Sequence, residues 1–273
     1  MKHHYVVFVH GIGEQEPGSY LKLAKAVRTA FEGEVKKRGI GESLKENLIW
    51  EEVYWADVTQ PDQEVLKEKL ELSGFLREFM IGSLGDAIAY SRISVSSNKY
   101  EEIQKRFKAV FQKLSHQAKE SLSHSVPVTL IAHSLGTVVA SDGIYDLYKK
   151  GEFPPNLFLA NFFSLGSPIA LYGLRYGLAN FNHPIRPKKW INFYYLKDVI
   201  GYPLRILNSA YASAVAEDVA LCPGGGANFL VTLLRMIVAC IPLAGNLQSH
   251  SWYFSDQRVI RRIAESLAEI DNL

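Results

Sequence analysis

Continuous apolar runs alternate along this chain with stretches of helical periodicity. Residues 5–9 (YVVFV) are five apolar positions in a row, the pattern of a strand buried on both faces. Helical spacing follows over 19–37, behind Pro17. Residues 48–55 predict a second strand, with Ile49, Trp50, Val53 and Trp55 among its apolar members. No strand pattern stands out from 61 to about 122. Val65, Leu66, Leu70, Phe75, Leu76 and Phe79 recur there at helical spacing, as do Ile103, Phe107, Val110, Phe111 and Leu114. Gly74, Gly82, Gly85 and the polar stretch 94–98 interrupt the first set, so 61–97 reads as a segmented helical insertion.

The second half resumes the alternation. Residues 128–131 (VTLI) predict a buried strand that breaks at Ala132-His133-Ser134-Leu135-Gly136, and 137–148 predicts an amphipathic helix. Further strands are expected at 157–165, after the Pro154-Pro155 turn, at 190–196 and at 215–221. A helix over about 255–268 closes the pattern, with Val259, Ile260, Ile263 and Leu267 as its buried stripe. Neither a repeat nor a linker interrupts this order. The expectation is one α/β domain over 1–273, with a mostly parallel central sheet wrapped by helices.

In such a sheet ligands bind at the carboxyl ends of the strands. Chemistry-bearing residues collect there: His10-Gly11-Ile12-Gly13 after the first strand, Ser134, Gly166-Ser167-Pro168, Asp198, and His250 in a late loop. Strand, tight turn with a central serine, and helix make the setting of a nucleophile elbow, whose flanking positions must be small; Ala132 and Gly136 satisfy that. Ser134 as nucleophile needs a base, for which His250 is the candidate. Asp198 would fix the imidazole tautomer and stabilise the imidazolium. The N–H groups of Leu135 and Ile12 are the candidate oxyanion donors. Two rivals stand beside this set: His183 for the base, and Asp218 for the acid. Chain order, with the histidine after the acid, favours His250. Asp198 is preferred because it follows the last strong strand, whereas Asp218 belongs to the weak strand 215–221. His10 and His133 read as structural, Asp142 and Asp146 as a solvated helix face, and Tyr194 and Tyr195 as neighbours facing opposite sides of the sheet.

Composition narrows this further. Lys plus Arg exceed Asp plus Glu by only two, for a net charge of +2, so no field points to nucleic acid. The two cysteines, Cys222 and Cys240, make no disulfide framework and fit a reducing compartment better, with one bridge between them as the alternative. The apolar run near the N-terminus is too short for a signal-peptide core, and the expected location is the cytoplasm. Residues 229–243 are strongly apolar but shorter than a membrane span and carry Arg235. Behind the hinge Gly224-Gly225-Gly226, the segment 224–247 reads either as an apolar lid able to touch a lipid interface or as a buried helix.

Val9-His10-Gly11-Ile12-Gly13, Ala132-His133-Ser134-Leu135-Gly136, the Asp198 turn and the His250 loop together resemble the α/β-hydrolase superfamily, and within it the lipase- and esterase-like members. Ala132 replaces the usual first glycine of the elbow, and the pattern looks like a minimal version lacking the outer N-terminal strands. The resemblance implies hydrolysis of a small-molecule or lipid ester through a serine acyl-enzyme, without metal or cofactor. Thioester, amide or acyl-transfer chemistry would use the same residues, and a non-catalytic binding role is the reading from another class.

Overall fold

The structure, a computed structural model, describes residues 3–11, 16–39, 48–61, 98–119, 125–178, 180–224 and 249–270. Ile12 and Cys240 lie outside the described residues, as does all but the first position of the expected insertion 61–97 and of the apolar segment 224–247.

Among the described residues, six strands pair into one sheet: β1 (His4–Val9), β2 (Leu48–Val53), β3 (Val126–His133), β4 (Leu157–Leu165), β5 (Lys189–Tyr195) and β6 (Glu217–Leu221). Their order is β2-β1-β3-β4-β5-β6, and every pairing is parallel. The helices include α1 (Leu21–Arg38), α2 (Lys99–Lys119), α3 (Gly136–Lys149), α4 (Ile169–Tyr176), α5 (Ser209–Ala214) and α6 (Gln257–Ile270). A parallel central sheet flanked by helices is the α/β architecture that the alternation of patterns predicts.

The continuous apolar strands have a direct structural reason. Successive side chains point to opposite faces, and both faces are covered. Tyr5, Val7 and Val9 of β1 join a core with Ile103, Phe107, Phe111 and Leu114 of α2 and with Val139 and Ile144 of α3. Val6 and Phe8 join the opposite core with Val27 and Phe31 of α1 and Ile260, Ile263 and Leu267 of α6. Each fully buried Leu, Ile or Phe contributes about 1.5–3 kcal/mol relative to an exposed one, so both helix layers are firmly attached. β4 carries a bulge: Val128 pairs with Leu159, but Thr129 pairs with Asn161. Ala160 is the extra residue, and it lets Leu159 and Phe162 reach the same core despite their odd spacing.

The end of β3 and two short helices differ from the sequence expectation. Strand β3 continues through His133, because Ala132 and His133 still pair with Ser164 and Leu165. Helices α4 and α5 were not expected, since each is too short to show a helical repeat. Asn208 was the available signal for α5: its side-chain oxygen accepts from Tyr211 N at 3.1 Å, an N-cap. No helix among the described residues is long and apolar enough to cross a membrane.

Candidate active site

Ser134 sits in the turn between β3 and α3 with φ 53°, in the left-handed region, where no other non-glycine residue among those described is found. That backbone costs about 1–2 kcal/mol, so its surroundings must hold it. The Ser134 N–H donates to Leu165 O at 2.9 Å, and its carbonyl accepts from Thr137 N at 2.9 Å and Thr137 Oγ1 at 2.8 Å. The single Thr137 hydroxyl proton is thereby committed. Ser167 Oγ, 2.8 Å from Thr137 Oγ1, must then donate to it while accepting from Ile169 N at 3.3 Å. A directed chain of hydrogen bonds therefore runs from the start of α4 to the Ser134 carbonyl.

The loop after β1 crosses this turn at close range. A Cβ at Gly11 would fall 2.7 Å from the Ser134 Cβ, so only glycine fits. His10 orders the loop. Its Nε2 accepts from Trp55 N at 2.9 Å, so Nδ1 carries the proton and donates to Gly11 O at 2.8 Å. The His10 ring stacks on Trp55 at 4.9 Å, and the Trp55 Nε1–H donates to the His10 carbonyl. Burial pushes its pKa down to about 4, which keeps the ring neutral. His10 is a structural residue here, as its place in the sequence suggested.

The structure brings Asp198 and His250 together. Asp198 follows β5, and its Oδ2 accepts from His250 Nδ1 at 2.8 Å and from Tyr253 Oη at 2.6 Å. Its Oδ1 accepts from Ile200 N at 2.9 Å. Burial alone would raise this carboxyl's pKa, but the His250 interaction and these hydrogen bonds outweigh it and hold the pKa below the usual carboxylate value. With Nδ1 donating to Asp198, Nε2 is the basic nitrogen of the neutral His250 ring.

His133 ties this pair to the serine turn. Its Nε2 donates to the His250 carbonyl at 2.7 Å, and the two rings lie 4.7 Å apart. Burial, then the neighbouring His250, push the His133 pKa down to about 3. The residue next to Ser134 in sequence is thus a neutral strut under the His250 loop. Gly166 closes the other side. A Cβ there would lie 2.9 Å from Asp198 Oδ2 and 3.0 Å from His250 Cε1.

The rival residues lie elsewhere. Asp218 accepts from Asn192 Nδ2, Leu204 N and Arg205 N, and so pins the 204–205 turn to the sheet. His183 is exposed, in a loop against the later turns of α3. Asp146 pairs with Lys150 at the end of α3. Tyr195 is buried with its hydroxyl on Asp256, whereas Tyr194 is only part-buried. The sequence assigns no role to Tyr253 or Thr137, and it marks Ser167 only as a residue at a strand end. A tyrosine three residues after the candidate base was the one available signal, since a buried phenol needs a partner. Among the described residues, no three His, Cys, Asp or Glu side chains converge as metal ligands would.

No protein-family model and no curated protein matches this chain. Among solved structures it is similar to a Xanthomonas campestris pv. campestris protein named for the alpha/beta superfamily of hydrolases. That likeness has 12% identity and a TM-score of 0.39, and it covers 98% of each chain. It is also similar to an uncharacterized protein from Pseudomonas aeruginosa, at 11% identity and a TM-score of 0.41. There 98% of this chain is covered but 51% of the other, so this chain spans about half the length of that protein.

Proposed function

We propose that this chain is a serine hydrolase that cleaves carboxylic esters through Ser134, His250 and Asp198. The observation that carries the reading is the buried Asp198–His250 hydrogen bond, 2.8 Å long, on a loop fastened by His133 to the strained turn at Ser134. In this mechanism His250 Nε2 takes the Ser134 hydroxyl proton as Oγ bonds to the substrate carbonyl carbon. The imidazolium, stabilised by Asp198, returns that proton to the leaving alcohol as the C–O bond breaks. Water, activated by the same nitrogen, then releases the acid and restores Ser134. The Leu135 N–H, which has no acceptor among the described residues, supports an oxyanion role at that position. Ile12 is the proposed second donor.

An apolar acyl group is the substrate class these surroundings favour. Helix α4 starts immediately after Gly166-Ser167-Pro168 and exposes Leu171 and Leu174. A lipid ester or a small-molecule ester would both suit it, and contact with a lipid interface belongs to the same proposal.

A fluorophosphonate probe should label the protein, and Ser134→Ala should abolish labelling and ester turnover. Labelling that persists in Ser134→Ala would refute the assignment. A panel of esters, thioesters and amides then separates the leaving-group classes.

A further inference from the structure

Tyr253 makes two hydrogen bonds that together leave its hydroxyl no freedom. The hydroxyl accepts from Tyr195 N at 2.9 Å and therefore donates its own proton to Asp198 Oδ2 at 2.6 Å. The oxygen it reaches is the one that His250 Nδ1 also holds, at 2.8 Å. The Tyr253 ring stands edge-on to the His250 imidazole, with centroids 6.4 Å apart. On the far side it packs against Tyr195, whose hydroxyl donates to Asp256, itself held by Arg258. Glycines keep the approach open: a Cβ at Gly201 would lie 3.1 Å from Tyr253 Oη, and one at Gly166 2.8 Å from its ring.

We infer that Tyr253 is a positioning residue that sets how much of the Asp198 charge His250 feels. A phenol proton aimed at Oδ2 withdraws charge from the oxygen facing the imidazole, and so weakens the field that favours the imidazolium. Beside Asp198, the described residues place His133 and Tyr253 against the His250 ring. From β3, His133 is held neutral by burial, and His10 behind it likewise. From its own segment, Tyr253 keeps its proton because burial and the adjacent carboxylate disfavour the phenolate. Asp198 is the charged partner that the described residues place on the ring. The hydroxyl of Tyr253 therefore acts as a fixed dipole on the acid–base pair. A second consequence follows from geometry: with one oxygen shared by two donors and Oδ1 taken by Ile200 N, the carboxylate cannot rotate away from His250.

This inference rests on the proposed roles of Asp198 and His250, and its test is separable from theirs. The rate of fluorophosphonate labelling is measured against pH in the full chain and in Tyr253→Phe. The imidazole–carboxylate proton resonance is followed by NMR in both. Removing the phenol proton should move the acid limb of the labelling profile to higher pH by roughly half to one unit, and should shift the resonance. Site-specific 3-fluorotyrosine at 253, a stronger donor of nearly the same size, should move the limb the opposite way even if Tyr253→Phe folds poorly. A limb and a resonance unchanged in both variants, with only the melting temperature lowered, would reduce Tyr253 to packing and overturn the inference. If the native chain is not labelled at all, the hydrolase reading fails. The resonance shift between the native chain and the 3-fluorotyrosine protein still decides the inference: a shift upholds it and no shift overturns it.

Discussion

Gly136 stands so close to the end of β1 that a Cβ added to it would lie 2.3 Å from the His10 carbonyl oxygen and 2.4 Å from that of Val9. The first residue of α3 is thus in backbone contact with the strand that carries the other candidate loop. Relief would require moving a central strand, because neither neighbouring atom belongs to a flexible side chain. Gly136→Ala should therefore cost more than the about 1–3 kcal/mol usual for overpacking, or prevent folding. Gly33 is the control. It lies within α1, and a Cβ there meets nothing within 4 Å, so Gly33→Ala should stabilise by about 0.5–1 kcal/mol through helix propensity. Urea unfolding of the two variants checks both signs.

Three buried histidines set a pH dependence of stability. Burial pushes His4 and His133 down to about 3 and His10 down to about 4. In the unfolded chain each would titrate at an ordinary value of about 6.5. Between that value and the folded one, the unfolded chain binds protons that the folded chain does not, so stability falls as pH falls. Above about 6.5 the three contribute no slope. Each fully buried ring removes about 1.4 kcal/mol per pH unit inside the window. Asp198 adds a loss at lower pH, since its depressed carboxyl stabilises the fold above the unfolded carboxylate value and loses that effect on protonation. Urea midpoints should drop steeply from pH 6.5 to pH 5, and His4→Gln should flatten the slope. A midpoint constant over that interval would contradict the burial of these rings.

Asp198 and Asp218 should part cleanly on substitution. Asn at 198 cannot hold the His250 tautomer as a carboxylate does, and on the proposed mechanism turnover should fall by about a thousandfold to ten-thousandfold. Asp218 accepts from two backbone amides and Asn192. Asp218→Asn should lower stability by about 1–3 kcal/mol while leaving labelling of Ser134 in place. Parallel labelling and thermal unfolding of both variants separate the outcomes. A large loss of labelling in Asp218→Asn with a normal melting temperature would move the acid to that position.

Much of the architecture was legible because its signals are local. The run 5–9 is apolar at every position and 157–165 at all but Asn161 and Ser164, a pattern that suits a strand covered on both faces. The closing helix shows its stripe because α6 buries one side against β4 and α1. The short helices α4 and α5 left no periodic trace, and the Ala160 bulge left none either, since an inserted residue is visible only once its partner strand is in place. At the candidate site, Ser134, Asp198 and His250 could be nominated from residue type, small neighbours and chain order. Tyr253 and Thr137 could not, and Ser167 was visible only as a residue at a strand end.

By itself, the sequence determined which of the longer segments become strands and helices, and that the reactive residue types fall at strand ends. Those properties follow from burial and backbone geometry within a few residues of each position. Tertiary structure alone decided which acid meets which histidine. Asp198 and His250 are 52 positions apart, and their 2.8 Å hydrogen bond forms because β5, the Gly166 turn and the His133 strut converge on one point. It also decided which buried histidines are neutral supports, because desolvation is set by all the chain that surrounds a group and not by its neighbours in sequence.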